Sequence, residues 1–293
     1  MAYAVIGGPS SKALAKKIAK KLGANYVDTK THVFPDGEVK ITLDQVPRGS
    51  KIVVVNSIQP PVDSNLIQTC VLLSKARLYS QHVLAVIPYL GYLRQDIEFL
   101  PGEVVTSALV AKLLKSAGAS KVIVADAHST IALAYFEIPV RNVSAVPKIA
   151  KFFKKMALNA PLVVAPDLFW ANTADEFARL LGTTSTALNK QRDRKTGKIR
   201  IIPSKKTNLL HRDIILLDDM ISTGTSMIKA AKYLQSQNCG RIYAACTHGI
   251  LVSGAEKKIR DAGIKKIVST NTILNKTSSI DVSDVIADAI GCW

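Results

Sequence analysis

The sequence predicts an α/β fold in which mostly parallel β-sheets are covered by helices on both faces. Short runs rich in β-branched residues alternate with amphipathic stretches from one end of the chain to the other. The strand-like runs are apolar at nearly every position, which is typical of strands buried on both faces. At 293 residues the chain is long enough for two domains, since a domain averages about 150 residues.

The predicted elements follow one another in strand–helix alternation. The predicted strands are apolar runs bounded by polar or turn residues: Ala4–Ile6, Ile52–Val55, Val83–Ile87, Val122–Ala125, Leu162–Val164, Ile214–Leu217 and Ile242–Ala245. The predicted helices repeat apolar residues every three or four positions: Lys12–Leu22, Asn65–Leu78, Thr106–Ala117 and Ser226–Ser236. Strands joined by helices in this way predict parallel pairing through crossover connections.

An internal repeat supports a duplicated domain. Five residues recur at a constant offset of 120 positions: Ala111, Lys112, Leu114, Ser116 and His128 reappear as Ala231, Lys232, Leu234, Ser236 and His248. Both copies are predicted to run helix, turn, strand and then histidine, although coincidence between two generic helix–strand units is the alternative. We therefore predict two domains, 1–144 and 145–277, with the boundary near Asn142–Pro147.

Composition and charge limit the class of protein. Lys and Arg exceed Asp and Glu by 39 to 22, and a net charge of +17 indicates anionic partners such as phosphorylated small molecules, nucleic acid or a membrane surface. Aromatic residues are only 6% and do not interleave with basic ones, which argues against nucleic-acid binding. No apolar run approaches the roughly 18 residues of a membrane span, and the N-terminus does not resemble a signal peptide.

The cysteine pattern also limits the class of protein. The four cysteines are too few and too scattered for a disulfide framework, so we expect a soluble, cytoplasmic protein. Cys239, Cys246 and His248 are close in sequence but lack the paired C-x-x-C spacing of zinc sites.

The segment 213–226 carries the strongest functional signal. An apolar strand ends at two adjacent carboxylates, Asp218 and Asp219, at the sheet edge where ligands bind in open α/β folds. The hydroxyl-rich run Thr223–Ser226 then opens a helix, with Gly224 allowing close approach of an anion to backbone N–H groups. Carboxylates suit sugar hydroxyls or a metal ion and the helix start suits a phosphate, so the pair predicts a sugar-phosphate site. The structural alternative is that these residues only cap and turn the chain.

Further motifs precede this segment in a fixed order. They are Phe34-Pro-Asp-Gly-Glu38, Arg94-Gln95-Asp96, His128, Asp167 and Lys190-Gln-Arg192. Segment 213–226 resembles the ribose-phosphate loop of phosphoribosyltransferase-type folds. All the motifs together, from about Phe34 to Asn275, resemble the ribose-phosphate diphosphokinase family, also called phosphoribosyl pyrophosphate synthetases. The resemblance implies two tandem phosphoribosyltransferase-type domains, with segment 278–293 completing the first.

The resemblance also implies a reaction and its residues. It implies transfer of the β,γ-diphosphoryl group of Mg-ATP to the 1-hydroxyl of ribose 5-phosphate, in a homo-oligomer that shares its ATP site between subunits. The implied ATP-binding residues lie in domain 1–144: Phe34, Asp36, Glu38, Arg94, Gln95 and Asp96. The implied ribose 5-phosphate residues lie in domain 145–277: Asp218, Asp219, Ser222, Thr223, Gly224, Thr225 and Ser226. The implied Mg²⁺ ligands are His128 and Asp167, and the implied catalytic cations are Lys190 and Arg192.

The chemistry of diphosphoryl transfer independently favours mobile cations. Negative charge spreads over the transferring group, so positive side chains that close over it stabilise the transition state. Lys190 and Arg192 lie in a polar, basic stretch, Asn189–Arg200, which we predict to be a mobile loop. A solvated charge run is the structural alternative. Of the two implied metal ligands, Asp167 suits magnesium better than His128.

Three departures from the family pattern keep other functions open. Ile97–Gly102 replaces an expected basic run, Leu168-Phe169-Trp170 replaces small residues, and Ser222 stands where aspartate is frequent. The alternatives are a non-catalytic regulatory homologue, which would not need Lys190 and Arg192, and a phosphoribosyltransferase, which would lack the Phe34–Glu38 turn.

Overall fold

The chain divides into two compact units. The computed structural model describes residues 3–47, 50–192, 199–205 and 207–292, without the side chains of residues 190–192 and 199–201. Unit 1 comprises Met1–Ser144 together with Val282–Trp293, and unit 2 comprises Ala145–Asp281. That each unit is an independent domain with its own substrate stays a prediction.

Unit 1 is built on a parallel sheet of six strands within the described residues, in the order β2-β1-β5-β6-β7-β8. Its strands are β1 (Tyr3–Gly7), β2 (Asn25–Val27), β5 (Lys51–Val55), β6 (Val83–Ile87), β7 (Lys121–Ala125) and β8 (Val140–Val143). A separate antiparallel hairpin joins β3 (Thr29–Val33) to β4 (Val39–Leu43). The helices are α1 (Lys12–Leu22), α2 (Val62–Arg77), α3 (Thr106–Ser116), α4 (Thr130–Leu133) and, from the end of the chain, α9 (Ser283–Gly291).

Helix α1 shows why these segments fold as they do. Leu14, Ala15, Ile18 and Ala19 recur at helical spacing and are buried, while its lysines face solvent. The helix ends at Leu22 because Gly23 adopts a left-handed conformation (φ 59°), and its N–H closes the last turn on Lys20. Helix α9 packs against α1 and β8, and the guanidinium of Arg141 donates to the carbonyl of Ala289 over 2.8 Å.

Unit 2 contains a second sheet, with seven strands among the described residues in the order β11-β10-β9-β12-β13-β14-β15. Its strands are β9 (Leu162–Ala165), β10 (Thr184–Arg192), β11 (Ile199–Pro203), β12 (Ile214–Ile221), β13 (Ile242–Gly249), β14 (Ile264–Thr270) and β15 (Ser278–Ile280). All pairs are parallel except β10–β11. Its helices are α5 (Val146–Lys154), α6 (Ala171–Leu181), α7 (Thr225–Ser236) and α8 (Ala255–Asp261).

The predicted fold class, mostly parallel sheets flanked by helices, is confirmed. The predicted strands and helices are all present, with ends that differ by at most a few residues. Eight of the described strands were not predicted: β2, β3, β4, β8, β10, β11, β14 and β15. Strands β2, β8 and β15 are short, and in β14 two exposed lysines follow Ile264. Within the described residues, no helix combines the length and apolar character that crossing a bilayer requires.

The two sheets share one topology, but the predicted offset of 120 residues does not align them. Omitting edge strand β11, the order β10-β9-β12-β13-β14-β15 matches β2-β1-β5-β6-β7-β8 position by position. Strand β13 therefore corresponds to β6, and β7 corresponds to β14. The predicted pairing of His128 with His248 is wrong, because His128 follows β7 whereas His248 lies inside β13.

Candidate active site

The carboxylate pair lies within strand β12 and not beyond its end. The strand was predicted to stop at Leu217, but it continues to Ile221 because β13 runs beside it to Gly249, with Asp218 opposite Cys246. Asp219 is 2% exposed and Cys246 is fully buried. The two carboxylates thus stand on a rigid strand, which positions a ligand more accurately than a loop would.

Burial and mutual repulsion make Asp218 hard to ionise. Asp218 as a whole residue is half-buried, and its carboxyl group is the part that has little contact with water. This burial, the adjacent Asp219 carboxylate and the Asp167 carboxylate raise the pKa of Asp218 well above its ordinary value. Burial also raises the pKa of the Cys246 thiol, with Asp218 and Asp219 contributing. The site formed by Asp218, Asp219 and Asp167 therefore favours a ligand with hydroxyl donors or a cation, either of which would offset the negative charge.

Asp167 follows β9, the strand that pairs with β12, so the two neighbouring strand ends bring it towards Asp218. Its Oδ1 accepts the N–H of Phe169 over 3.1 Å. In the part of the chain that the structure describes, no group of three or more His, Cys, Asp or Glu side chains could hold a metal ion. Magnesium takes few protein ligands when substrate phosphates and water supply the rest, so Asp167 fits such a site.

Helix α7 begins at Thr225, a few residues after strand β12 ends at Ile221. Gly224 caps the helix in a left-handed conformation (φ 76°), and a Cβ there would lie 2.5 Å from the Ile259 side chain. Thr223 and Thr225 are exposed, and their hydroxyl oxygens lie 3.0 Å apart. The start of helix α7 therefore brings exposed hydroxyls together with the positive end of the helix dipole, which is an arrangement that suits a phosphate.

Two backbone N–H groups brace this loop, and sequence reasoning did not identify them. Leu251 N–H donates to the carbonyl of Ile221 over 2.9 Å, and Val252 N–H donates to that of Ser222 over 3.2 Å. Leu251 has a positive φ of 45°, which is unusual for a residue of its type. The only sequence signal was their position just after β13, at the same edge of the sheet.

The corresponding loop of unit 1, between β5 and α2, is filled by its own side chains. Asn56 Oδ1 accepts the N–H and the hydroxyl of Ser10 over 3.1 and 2.8 Å, and Asn56 Nδ2 donates to Thr69 over 2.9 Å. Pro60 and Pro61, which lack N–H groups, precede the helix. Of the two equivalent loops, only the one in unit 2 has the features of an anion site.

The implied adenine residues lie at the tip of the β3–β4 hairpin. The N–H of Phe34 donates to the carbonyl of Glu38 over 2.8 Å, and Gly37, with φ 94°, allows the tight turn. Phe34 is 39% exposed and meets the ring of His32 edge-on at 4.7 Å between centroids, while Asp36 and Glu38 face solvent. An exposed aromatic ring beside two carboxylates can stack on a base and accept from its amine.

Arg94, Gln95 and Asp96 lie in the loop that follows β6. Arg94 is exposed, whereas Gln95 Nε2 donates to Glu103 over 3.2 Å and the carbonyl of Asp96 accepts the hydroxyl of Tyr135 over 2.8 Å. Gln95 and Asp96 therefore hold the loop as well as being candidates for the nucleotide.

His128 lies in unit 1, and Asp167, the other implied metal ligand, lies in unit 2. His128 is half-buried between β7 and α4. Two residues before it, Asp126 is buried and has a positive φ of 35°, a strain that is typical of functional sites and was not predicted. In contrast, His248 is 2% exposed and its Nδ1 lies 2.9 Å from the Thr272 hydroxyl, as expected for a structural histidine.

Comparisons with known proteins agree over nearly the whole chain. Residues 3–118 match the model for the N-terminal domain of ribose phosphate pyrophosphokinase, and residues 207–292 match a phosphoribosyl synthetase-associated domain. The ribose-phosphate pyrophosphokinase of Sulfolobus acidocaldarius is 33% identical over 282 residues, covering 96% of this chain and 97% of that protein. The corresponding protein of Methanopyrus kandleri is 35% identical over 279 residues, covering 94% of each.

The chain belongs to the ribose-phosphate pyrophosphokinase family. The resemblance inferred from the motifs is thereby confirmed, and with it an enzyme of this family. A crystal structure of phosphoribosylpyrophosphate synthetase from Mycobacterium smegmatis has the same fold, with a TM-score of 0.87 and 24% identity over 100% of this chain and 98% of that one.

Two departures from the pyrophosphokinase pattern have structural counterparts. In the loop after Asp96, Glu98 Oε1 accepts the N–H of Gly102 over 2.6 Å, so an acidic side chain closes a turn where the family has basic residues. After Asp167, Leu168 and Phe169 are exposed, while Trp170 is buried and directly precedes α6. Two of the three bulky side chains thus face solvent, and the third packs in the core.

The cations of the pyrophosphokinase, Lys190 and Arg192, do not lie in a loop. Their backbones belong to β10, where Lys190 pairs with Ile201 and Arg192 with Ile199 of β11. The prediction that Asn189–Arg200 is wholly a loop is therefore wrong for 189–192 and 199–200, and residues 193–198 lie outside the described residues. The side chains of Lys190 and Arg192 also lie outside the description, so their catalytic roles stay predictions.

Proposed function

We propose that this chain transfers the β,γ-diphosphoryl group of Mg-ATP to the 1-hydroxyl of ribose 5-phosphate. The bond between the 1-oxygen and the β-phosphorus forms as the 1-hydroxyl releases its proton, the bond from that phosphorus to the α,β-bridging oxygen breaks, and AMP leaves. The observation that carries the proposal is the continuity of Asp218 and Asp219 with the hydroxyl-rich start of α7, in a chain of the pyrophosphokinase family.

Unit 2 supplies the groups that suit the sugar phosphate. Asp218 and Asp219 would accept hydrogen bonds from the ribose hydroxyls, which lowers the energetic cost of their crowded charge. The N–H groups and hydroxyls of 222–226 would hold the 5-phosphate at the N-terminus of α7, with Gly224 keeping the approach open. This placement orients the 1-hydroxyl and removes much of the entropic barrier to attack.

Unit 1 supplies the groups that suit the nucleotide. Phe34 would stack on adenine, Asp36 and Glu38 would accept from its exocyclic amine, and Arg94 with Gln95 and Asp96 would lie along the rest of the nucleotide. Because the hairpin tip projects into solvent, we include in the proposal that a second copy of the chain completes this site, in a homo-oligomer that is at least a dimer.

Magnesium fits the site through Asp167, whose carboxylate contributes to the repulsion that raises the pKa of Asp218. When bound, the ion would neutralise part of the phosphate charge. The imidazole of His128 suits magnesium less well than a carboxylate does, so we assign His128 a neighbouring position. Lys190 would act as a point charge and Arg192 as a two-pronged donor on the transferring diphosphoryl group.

The products test this proposal directly. The purified chain is incubated with ribose 5-phosphate and Mg-ATP, and the nucleotide product is identified by chromatography. AMP together with phosphoribosyl pyrophosphate is the expected result. ADP would indicate an ordinary kinase, and the absence of both nucleotides would favour a regulatory homologue; either result contradicts the proposal.

A further inference from the structure

A cavity of about 310 Å³ lies in unit 1 at the end of the sheet where the strands begin, opposite the edge that carries the candidate active site. Its floor is apolar, formed by Leu84, Ile290 and the ring of Tyr3. Lys51, His82 and Lys121 supply its basic rim, and the described residues that line it include no carboxylate. A pocket of this size with an apolar floor and basic rim has the features of a small-ligand site.

Strand register explains why the basic side chains converge. Tyr3 of β1 pairs with Lys51 of β5, and Leu84 of β6 pairs with Lys121 of β7. Paired residues of a parallel sheet project from the same face, and His82 precedes Leu84 by two residues. The ammonium of Lys51 lies 5.8 Å from the centroid of the Tyr3 ring, which keeps the charge at the mouth of the cavity.

Matching hydrogen bonds identify the residues of unit 2 that are equivalent to Lys51 and His82. The N–H of Ile52 donates to the carbonyl of His82, and in unit 2 the N–H of Ile214 donates to the carbonyl of Arg241. These equivalent hydrogen bonds place Lys51 at the position of Asp213 and His82 at that of Arg241.

In unit 2 the two positions form an ion pair. Asp213 is 2% exposed, and its oxygens accept both from the guanidinium of Arg241 and from the N–H groups of Asn159 and Arg241, over 2.5 to 3.1 Å. At these two positions unit 1 therefore has two basic residues, Lys51 and His82, where unit 2 has an acid and a base.

We propose that this cavity binds a small organic anion, whose carboxylate or phosphate group takes the place that the Asp213 carboxylate has in unit 2. The anionic group lies between Lys51 and His82, and an apolar body of the ligand covers Leu84 and Ile290. The proposal does not depend on the proposed reaction, because no residue of this cavity belongs to the candidate active site.

Thermal unfolding of the full chain in the presence of phenyl phosphate tests the proposal. The probe should raise the unfolding midpoint in proportion to the logarithm of its concentration, and benzoate in its place reports the preference for phosphate or carboxylate. Lys51→Met should weaken binding about tenfold, whereas Lys20→Met, which removes an exposed lysine of α1, should leave it unchanged. An equal shift in Lys51→Met and the unaltered chain would mean that the probe binds elsewhere, and the proposal fails.

A double variant makes the comparison with unit 2 explicit. Lys51→Asp combined with His82→Arg should raise the midpoint without ligand and abolish the response to phenyl phosphate. Phenol should have little effect, and inorganic phosphate should bind more weakly than phenyl phosphate. The proposal is overturned if neither organic anion raises the unfolding midpoint of the unaltered chain, or if phenol raises it as much as phenyl phosphate does. If inorganic phosphate and phenyl phosphate raise the midpoint equally, and both effects require Lys51, the apolar floor has no role in binding.

Discussion

At the scale of single residues, Asp218 shows how function and stability conflict. Its carboxyl is buried beside Asp219, so ionisation costs more in the folded protein than in the unfolded chain. The folded state therefore binds the proton more tightly, and stability falls as pH rises from the ordinary aspartate range to the raised pKa of Asp218. The loss of stability persists because the proposed site needs this carboxylate to accept hydrogen bonds from hydroxyl groups.

Replacing Asp218 should reveal that cost. We expect Asp218→Asn to raise the unfolding midpoint at pH 7, with a gain that shrinks on acidification and disappears below about pH 4, where the unfolded carboxyl is also protonated. Thermal unfolding between pH 3 and 8 measures the difference. Asp288→Asn, at an exposed position of α9, should show no such dependence, and a gain independent of pH would contradict the argument.

Gly224 offers a second test at this scale. A left-handed φ costs a non-glycine residue roughly 1–2 kcal/mol, and a Cβ would also collide with Ile259. Gly224→Ala should therefore destabilise the chain more than Gly254→Ala, because Gly254 has a similar φ of 75° but open space around it. Chemical denaturation measures both, and the KM for ribose 5-phosphate should rise only in Gly224→Ala.

The collision itself can be isolated. Adding Ile259→Ala to Gly224→Ala should cost less than the sum of the two single changes, since it removes the clashing atoms. If the changes in the free energy of unfolding were strictly additive, the backbone φ alone would explain the requirement for glycine.

At the scale of elements, two equivalent loops have taken different roles. The β12–α7 loop exposes its hydroxyls, while Asn56 and Ser57 fill the β5–α2 loop with internal hydrogen bonds. The proposed catalytic cations, Lys190 and Arg192, lie two residues apart in β10, which pairs with β11.

Removing one of these cations should affect turnover alone. We expect Lys190→Ala to lower kcat by about 100-fold or more, because its charge is used mainly in the transition state, without changing the unfolding midpoint. Steady-state kinetics of AMP formation measures it. Lys205→Ala, beyond β11 and paired with Asp175 over 2.8 Å, should retain normal turnover. An equal loss of kcat in the two variants would mean that removing any nearby positive charge has this effect, and that Lys190 has no specific role.

At the scale of the whole molecule, the end of the chain returns to unit 1. Helix α9 buries Ile286 and Ile290 against this unit, and the Tyr3 hydroxyl donates to the carbonyl of Ile290 over 3.4 Å. Residues 1–144 alone would expose the apolar surface that α9 covers, on α1 and β8.

This connection is testable with fragments. Residues 1–144 joined by a flexible linker to 282–293 should unfold cooperatively at a higher temperature than 1–144 alone, as followed by circular dichroism. A linked fragment in which Ile286 and Ile290 are both changed to Ser should behave like 1–144. Equal midpoints for the first two would show that α9 contributes nothing to unit 1.

The sequence by itself determined the fold class, most strand and helix positions and the family, because these depend on local periodicity and on contiguous motifs such as Asp218–Ser226. Only the tertiary structure decided which repeats correspond, since strand order depends on pairing between distant segments, and it moved His248 from the end of a strand to its interior. It also decided that Asp218 is hard to ionise and that Lys51, His82 and Lys121 line one cavity, because burial and register bring together side chains that no local pattern connects.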